Sequence, residues 1–114
     1  MSKARDLTSR RCKPCEAGMP PLAQPDIDSL LQHLDGWQQY DRLISKTYRF
    51  KDYYQTIAFV NMVAWISHRE DHHPELVVNY NSCHVEYTTH SIHGLSENDF
   101  ICAAKVDALT GTPD

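Results

Sequence analysis

No stretch of this sequence approaches the roughly 20 consecutive apolar residues that a membrane-spanning helix requires. No signal-peptide core follows its start, so a soluble, cytoplasmic protein without a membrane partner is expected. Glycine and proline are scarce, 4 and 6 among 114 residues, which excludes collagen-like and low-complexity architectures. Cationic side chains are in the minority, 11 Lys and Arg against 15 Asp and Glu. Lys3, Arg5, Arg10, Arg11 and Lys13 crowd the first residues with only Asp6 among them, leaving 6 basic and 14 acidic residues for the remainder. A body that acidic is a poor polyphosphate binder, because nucleic-acid affinity comes largely from Lys and Arg displacing counterions. No direct nucleic-acid partner is expected. A second metal-type cysteine pair is also missing. Cys12-x-x-Cys15 stands alone and reads as inert or redox-labile thiols, whereas Cys83 and Cys102 sit in apolar patterns as small core residues.

What is present suits one domain, long enough to bury about two-thirds of the surface its unfolded chain exposes. Residues 1–24, with Pro14, Gly18, Pro20 and Pro21, read as a flexible N-terminal arm, and residues 25–111 as a single domain. Asp26 is a plausible cap for a first helix with a stripe of Ile27, Leu30, Leu31 and Leu34, stopped at Asp35-Gly36. Trp37–Tyr40 and Leu43–Phe50 form a hairpin about Asp41-Arg42; Lys46 is the exception on its apolar face. Asp52 caps a long helix from about Tyr53 to Arg69. Its apolar positions exceed one stripe, so burial on a second side by another subunit is expected. Leu76–Tyr80 and Ser82–His90 form a second hairpin. Ser96 caps the last helix, with Asp99 at the third position, Leu95 stapled onto Phe100, and Gly111 as its exit. The order α-β-β-α-β-β-α implies an α+β fold, a four-stranded antiparallel sheet with three helices packed on one face.

Chemistry concentrates in His68-Arg69-Glu70-Asp71-His72-His73-Pro74 and in His90, which together hold four of the seven histidines. Imidazole exchanges protons near neutrality. His68 and His72 are four residues apart and share a helical face if the helix persists that far. Pro74 disfavours helical geometry at His73. Three readings of these residues stay open: a polar helix rim; a metal site using His68, His72 and His90; and metal-free acid–base catalysis.

The spaced frame His68, His72, His73, Pro74, Tyr80, His90 and Asp99 resembles the signature of the pterin-4a-carbinolamine dehydratases, the 4a-hydroxytetrahydrobiopterin dehydratases. Gly36-Trp37, Phe50-Lys51-Asp52, Gly94-Leu95-Ser96-Glu97 and the Cys-x-x-Cys before Pro20-Pro21-Leu22 are also similar to that family, over about residues 12–110. The resemblance implies a hydro-lyase that converts a 4a-hydroxytetrahydropterin to quinonoid dihydropterin and water, with no metal or other cofactor. Such an enzyme supports tetrahydropterin recycling beside an aromatic amino-acid hydroxylase. It implies His72, His73 and His90 as the catalytic set: His72 and His90 transfer protons and His73 orients the pterin. His68 and Asp99 would support them, and Asp71, Pro74, Thr88, Thr89 and Ser91 would bind substrate. His68 stands where many relatives carry Glu. Family members are dimers or tetramers, so a homo-oligomer is implied. Some double as dimerisation partners of a transcription factor, which makes a non-enzymatic, coactivator-type binding module the rival reading.

Overall fold

A computed structural model describes residues 3–110, with side chains from Asp6 onward. Helices α1 (Lys3–Thr8) and α2 (Gln24–Leu31) precede a hairpin of β1 (Gln38–Tyr40) and β2 (Leu43–Arg49). Helix α3 (Tyr53–Glu70) leads to β3 (Glu75–Val78) and β4 (Ser82–Tyr87), and a 3-10 turn (His90–Ile92) leads to α4 (Glu97–Leu109). The four strands form one antiparallel sheet in the order β1-β2-β4-β3. Apart from the short α1, this is the expected α+β order. Gly111 lies outside the described residues.

Period-two alternation puts Cys83, Val85 and Tyr87 of β4 inside, while Ser82, His84 and Glu86 are only half-buried. The register pairs Tyr87 with Ile44 and Cys83 with Tyr48, so both central strands present one apolar face. Ile27 of α2, Phe59, Val63 and Ile66 of α3, and Phe100, Ala103 and Val106 of α4 complete the same core. Burial of each large side chain contributes about 1.5–3 kcal/mol. His84 is occupied on the other sheet face, between Thr47 (2.8 Å) and Glu86 (3.1 Å).

Lys46 is explained by Asp107 of α4. Its Nζ lies 3.0 Å from Asp107 Oδ1 and 2.7 Å from the Asp35 carbonyl oxygen, so a charge on the inner face is matched. The Trp37 indole N–H (3.1 Å) and the Tyr48 hydroxyl donate to the same carboxylate. Burial, reinforced by Asp107, pushes the Tyr48 phenol far above its ordinary range and keeps it a donor. Gly36 permits the approach: it has φ +81°, and a Cβ there would sit 3.2 Å from Lys46 Cε.

Helix α2 differs from expectation at its start. It is capped by Ala23 rather than Asp26, because Pro25 fits the first turn, where its missing N–H forfeits no helical bond. Helix α3 ends at Glu70, and its termination follows from Asp71 in the left-handed conformation (φ 52°). His72 is therefore outside the helix and does not share a helical face with His68. Along α3, Phe59, Val63 and Ile66 are buried, whereas Tyr54, Ala58, Met62 and Trp65 are exposed, Trp65 to 59%.

Part of the segment read from sequence as a flexible N-terminal arm packs on the rest of the chain. Leu7 is 1% exposed and belongs to the core. Arg10 pairs with Glu97 (2.8 Å) and Arg11 with Glu70 (3.1 Å). Pro21 lies so near Gly94 that a Cβ on Gly94 would be 2.7 Å from its ring. The Leu22 N–H donates to the Leu95 carbonyl at 2.9 Å. Residues 10–15 thus form a strap across the ends of α3 and α4.

Glu70 anchors that strap. Burial alone would raise its carboxyl pKa, but the Cys12 amide (2.8 Å), Lys105 and Arg11 outweigh burial and hold it below the ordinary 4.5. A depressed native value gives stability that is full above the unfolded value and fades as pH falls through the native one. Glu70→Gln is expected to lower unfolding free energy by about 1 kcal/mol at pH 7, since Arg11 and Lys105 can still reach solvent. Denaturant titrations should show that difference shrinking below pH 4.5; a difference constant to acid pH contradicts this assignment.

Candidate active site

Three structural ends meet at one carboxylate. Asp99, at the third position of α4, is fully buried and reaches back to the Ser96 N–H (2.9 Å) as half of a capping box. The same oxygen, Oδ2, accepts from the Thr89 hydroxyl beyond β4 at 2.8 Å. Its other oxygen, Oδ1, lies 2.6 Å from His72 Nε2. Buried carboxylates persist when such donors satisfy them, and the helix N-terminus adds favourable partial charge.

His72 reaches Asp99 because α3 stops where it does. Aspartate tolerates the left-handed conformation that Asp71 adopts, and the turned chain lets the His72 N–H bond to the Ser67 carbonyl at 3.1 Å. The imidazole is 12% exposed and stacks on Tyr87, ring centroids 5.7 Å apart and planes 11° from parallel. An ionised carboxylate can only accept, so opposite ionised Asp99 the proton belongs on His72 Nε2, and Nδ1 of a neutral ring keeps its lone pair.

His72 lines a cavity of about 430 Å³, within the range of small-molecule sites, with Asp99 behind it. The end of α3 contributes Arg69, Glu70, Asp71 and His72; the chain beyond β4 contributes Thr89 and Ser91; α4 contributes Asn98. The strap supplies the remaining wall with Cys12, Lys13, Pro14 and Cys15. Asn98 holds it by paired bonds to the Lys13 backbone (3.0 and 2.6 Å), and Ser91 Oγ donates to the Cys15 carbonyl at 2.8 Å. Cys12 and Cys102 sulfurs are 3.5 Å apart. Their hydrogen bond, with burial, pushes the Cys102 thiol far up and keeps it protonated.

Of the residues singled out from sequence, the structure gathers Asp71, His72, Thr89 and Ser91 along this cavity, with Asp99 behind His72. Thr89 is buried, and its hydroxyl is committed to Asp99 and Ser96. Thr88 instead donates to the Arg42 carbonyl at 2.6 Å. His68, His73, Pro74 and His90 are not among the cavity-lining residues. His73 and His90 are exposed neighbours in sequence of His72 and of Thr89. Among the described residues no group of three His, Cys, Asp or Glu is arranged to hold a metal ion. No helix there is long and apolar enough to cross a membrane. Sequence reasoning missed Tyr87 as a site residue, Asn98, and the strap wall. The basic Arg10-Arg11 pair, facing Glu97 and Glu70, was the available signal for the strap.

Comparison with known proteins bears on this geometry. A relative from Nitrosospira multiformis, named for pterin-4-alpha-carbinolamine dehydratase, is 64% identical over 91% of this chain and 92% of its own. A relative of the same name from Nitrosomonas eutropha is 63% identical over 96% of this chain and 97% of its own. A solved structure described as a transcriptional coactivator/pterin dehydratase from Brucella melitensis superposes with a TM-score of 0.76 at 34% identity, covering 78% of this chain and 97% of that one. Another, a pterin dehydratase-like protein identified as a RuBisCO assembly factor in the alpha-carboxysome, superposes with a TM-score of 0.57 at 27% identity, covering 68% and 89%. Residues 20–109 match the family described as pterin 4 alpha carbinolamine dehydratase, and the chain belongs to that family of hydro-lyases.

Proposed function

We propose that this protein removes water from a 4a-hydroxytetrahydropterin by histidine acid–base catalysis, giving the quinonoid dihydropterin. The observation that carries this reading is the His72–Asp99 pair at the wall of a cavity of small-molecule size. In the elimination, electrons from the ring nitrogen beside C4a expel the hydroxyl. One imidazolium protonates that oxygen, which leaves as water, while a neutral imidazole takes the ring N–H proton. No electrons are gained or lost, so the reaction itself calls for neither a redox cofactor nor a metal.

His72 suits the base, acting through Nδ1. Asp99 holds its tautomer and stabilises the positive ring that forms, the division of labour seen when a carboxylate orients a catalytic imidazole. His90 is assigned the acid, His73 the orientation of the pterin, and His68 a supporting role. Asp71 and Ser91 would meet substrate; Thr89 acts through Asp99, and Thr88 and Pro74 would shape the surrounding chain. Catalysis would belong to the unit 25–111, with the strap completing its wall. The setting would be cytoplasmic tetrahydropterin recycling, the substrate arriving from an aromatic amino-acid hydroxylase.

The exposed α3 face of Tyr54, Ala58, Met62 and Trp65 supports a homo-oligomer, because contiguous apolar surface of this kind marks association sites. The same face favours the second reading, a coactivator-type binding module. A role of that kind survives loss of His72 and fails when the face is made polar.

Carbinolamine generated by a hydroxylase should decay at least about 10²-fold more slowly with His72→Ala than with the wild-type protein, the variants having matched thermal unfolding. Equal decay would sink the catalytic reading. Trp65→Glu is expected to reduce the mass measured by light scattering without unfolding the protein; a wild-type chain that is monomeric overturns the oligomer.

A further inference from the structure

The hydrogen bond to Asp99 fixes His72 at one point only. A ring held by a single in-plane bond can still swing about that bond, and its other nitrogen would then miss a bound substrate. The second restraint comes from beneath. Tyr87, the last residue of β4, is fully buried, and its ring lies nearly parallel to the imidazole, 5.7 Å away and 11° tilted. That is the offset-stacked arrangement that aromatic pairs prefer. Tyr87 is itself wedged against Trp37, centroids 6.1 Å apart, and the Trp37 indole N–H is tied to Asp107. The platform under His72 thus rests on the core.

The Tyr87 hydroxyl forms no hydrogen bond of ordinary geometry, and its polar neighbour is the Ser67 side chain.

We propose that Tyr87 is a positioning residue for the dehydration. Its ring face and the Asp99 carboxylate restrain the His72 imidazole along perpendicular directions and so aim Nδ1 at the substrate. This inference rests on the acid–base reading of His72.

The test compares the wild-type protein with Tyr87→Phe and Tyr87→Leu in steady-state carbinolamine turnover. The histidine ring protons are followed by NMR in the same samples. Tyr87→Leu is expected to lower kcat about tenfold, the scale of a modest misplacement of a catalytic group, with KM within about twofold. Tyr87→Phe, which keeps the face, should restore kcat. In the spectra, the His72 ring protons should be shifted upfield by the stacked ring in the wild type and in Tyr87→Phe, and released in Tyr87→Leu. Unchanged kcat in a folded Tyr87→Leu, or equal losses in both variants, overturns the proposal. Should Tyr87→Leu fail to fold, Tyr87→Met takes its place. Wild-type His72 ring protons without an upfield shift overturn the stack by themselves. A wild-type protein that leaves carbinolamine decay unaltered would defeat the function reading, while the spectra would still decide the stack.

Discussion

Asp99 is the group on which the site depends. A carboxylate with no exposed surface must have its acceptor positions filled, and here the donors come from three places: the backbone start of α4, a hydroxyl just beyond β4, and the imidazole after α3. The interaction that begins a helix therefore also sets the tautomer of a histidine. Stability and chemistry are coupled through one side chain, so a change that loosens α4 also loosens the ring it holds. The cost of burying the charge is offset by those donors and by the helix dipole.

Two further carboxylates work in the same manner elsewhere. Asp107 gathers Lys46, Trp37 and Tyr48 and fastens the first hairpin to α4. Glu70 gathers the Cys12 amide, Arg11 and Lys105 and fastens the strap. The acidic composition thus has a structural use. Two of these carboxylates lie on α4 and the third ends α3, and all three join elements distant in the chain.

Much of the fold was legible because its signals are local. Alternation in Ser82–Tyr87, the cap at Ser96 and the stripes of Tyr53–Glu70 each reflect a period or a turn preference that acts over a few residues. Of the frame of spaced histidines, His72 lies at the cavity, whereas His68, His73 and His90 are not among its lining residues. What escaped depends on contacts across the chain. Residues 10–15 lack periodicity and are ordered by Glu70, Glu97 and Asn98, which no local pattern reveals. Tyr87 looked like one more inward-facing residue of a strand; only the third dimension puts it under His72. The end of α3 agrees with the sequence to within one residue, but the left-handed turn at Asp71 that frees His72 from the helix has no sequence signature of its own.

The strap has a further consequence for how the molecule is completed. Its residues leave the ribosome early, yet Ser91, Glu97 and Asn98, which hold it, are made some eighty residues afterwards. Contacts of such long sequence separation form late, because loop closure must precede them. A nascent chain interrupted after β4 would contain Glu70 yet lack Asp99 and the later anchors Ser91, Glu97 and Asn98. The pocket is consequently an all-or-none property of the finished polypeptide, and no partly synthesised intermediate can display it.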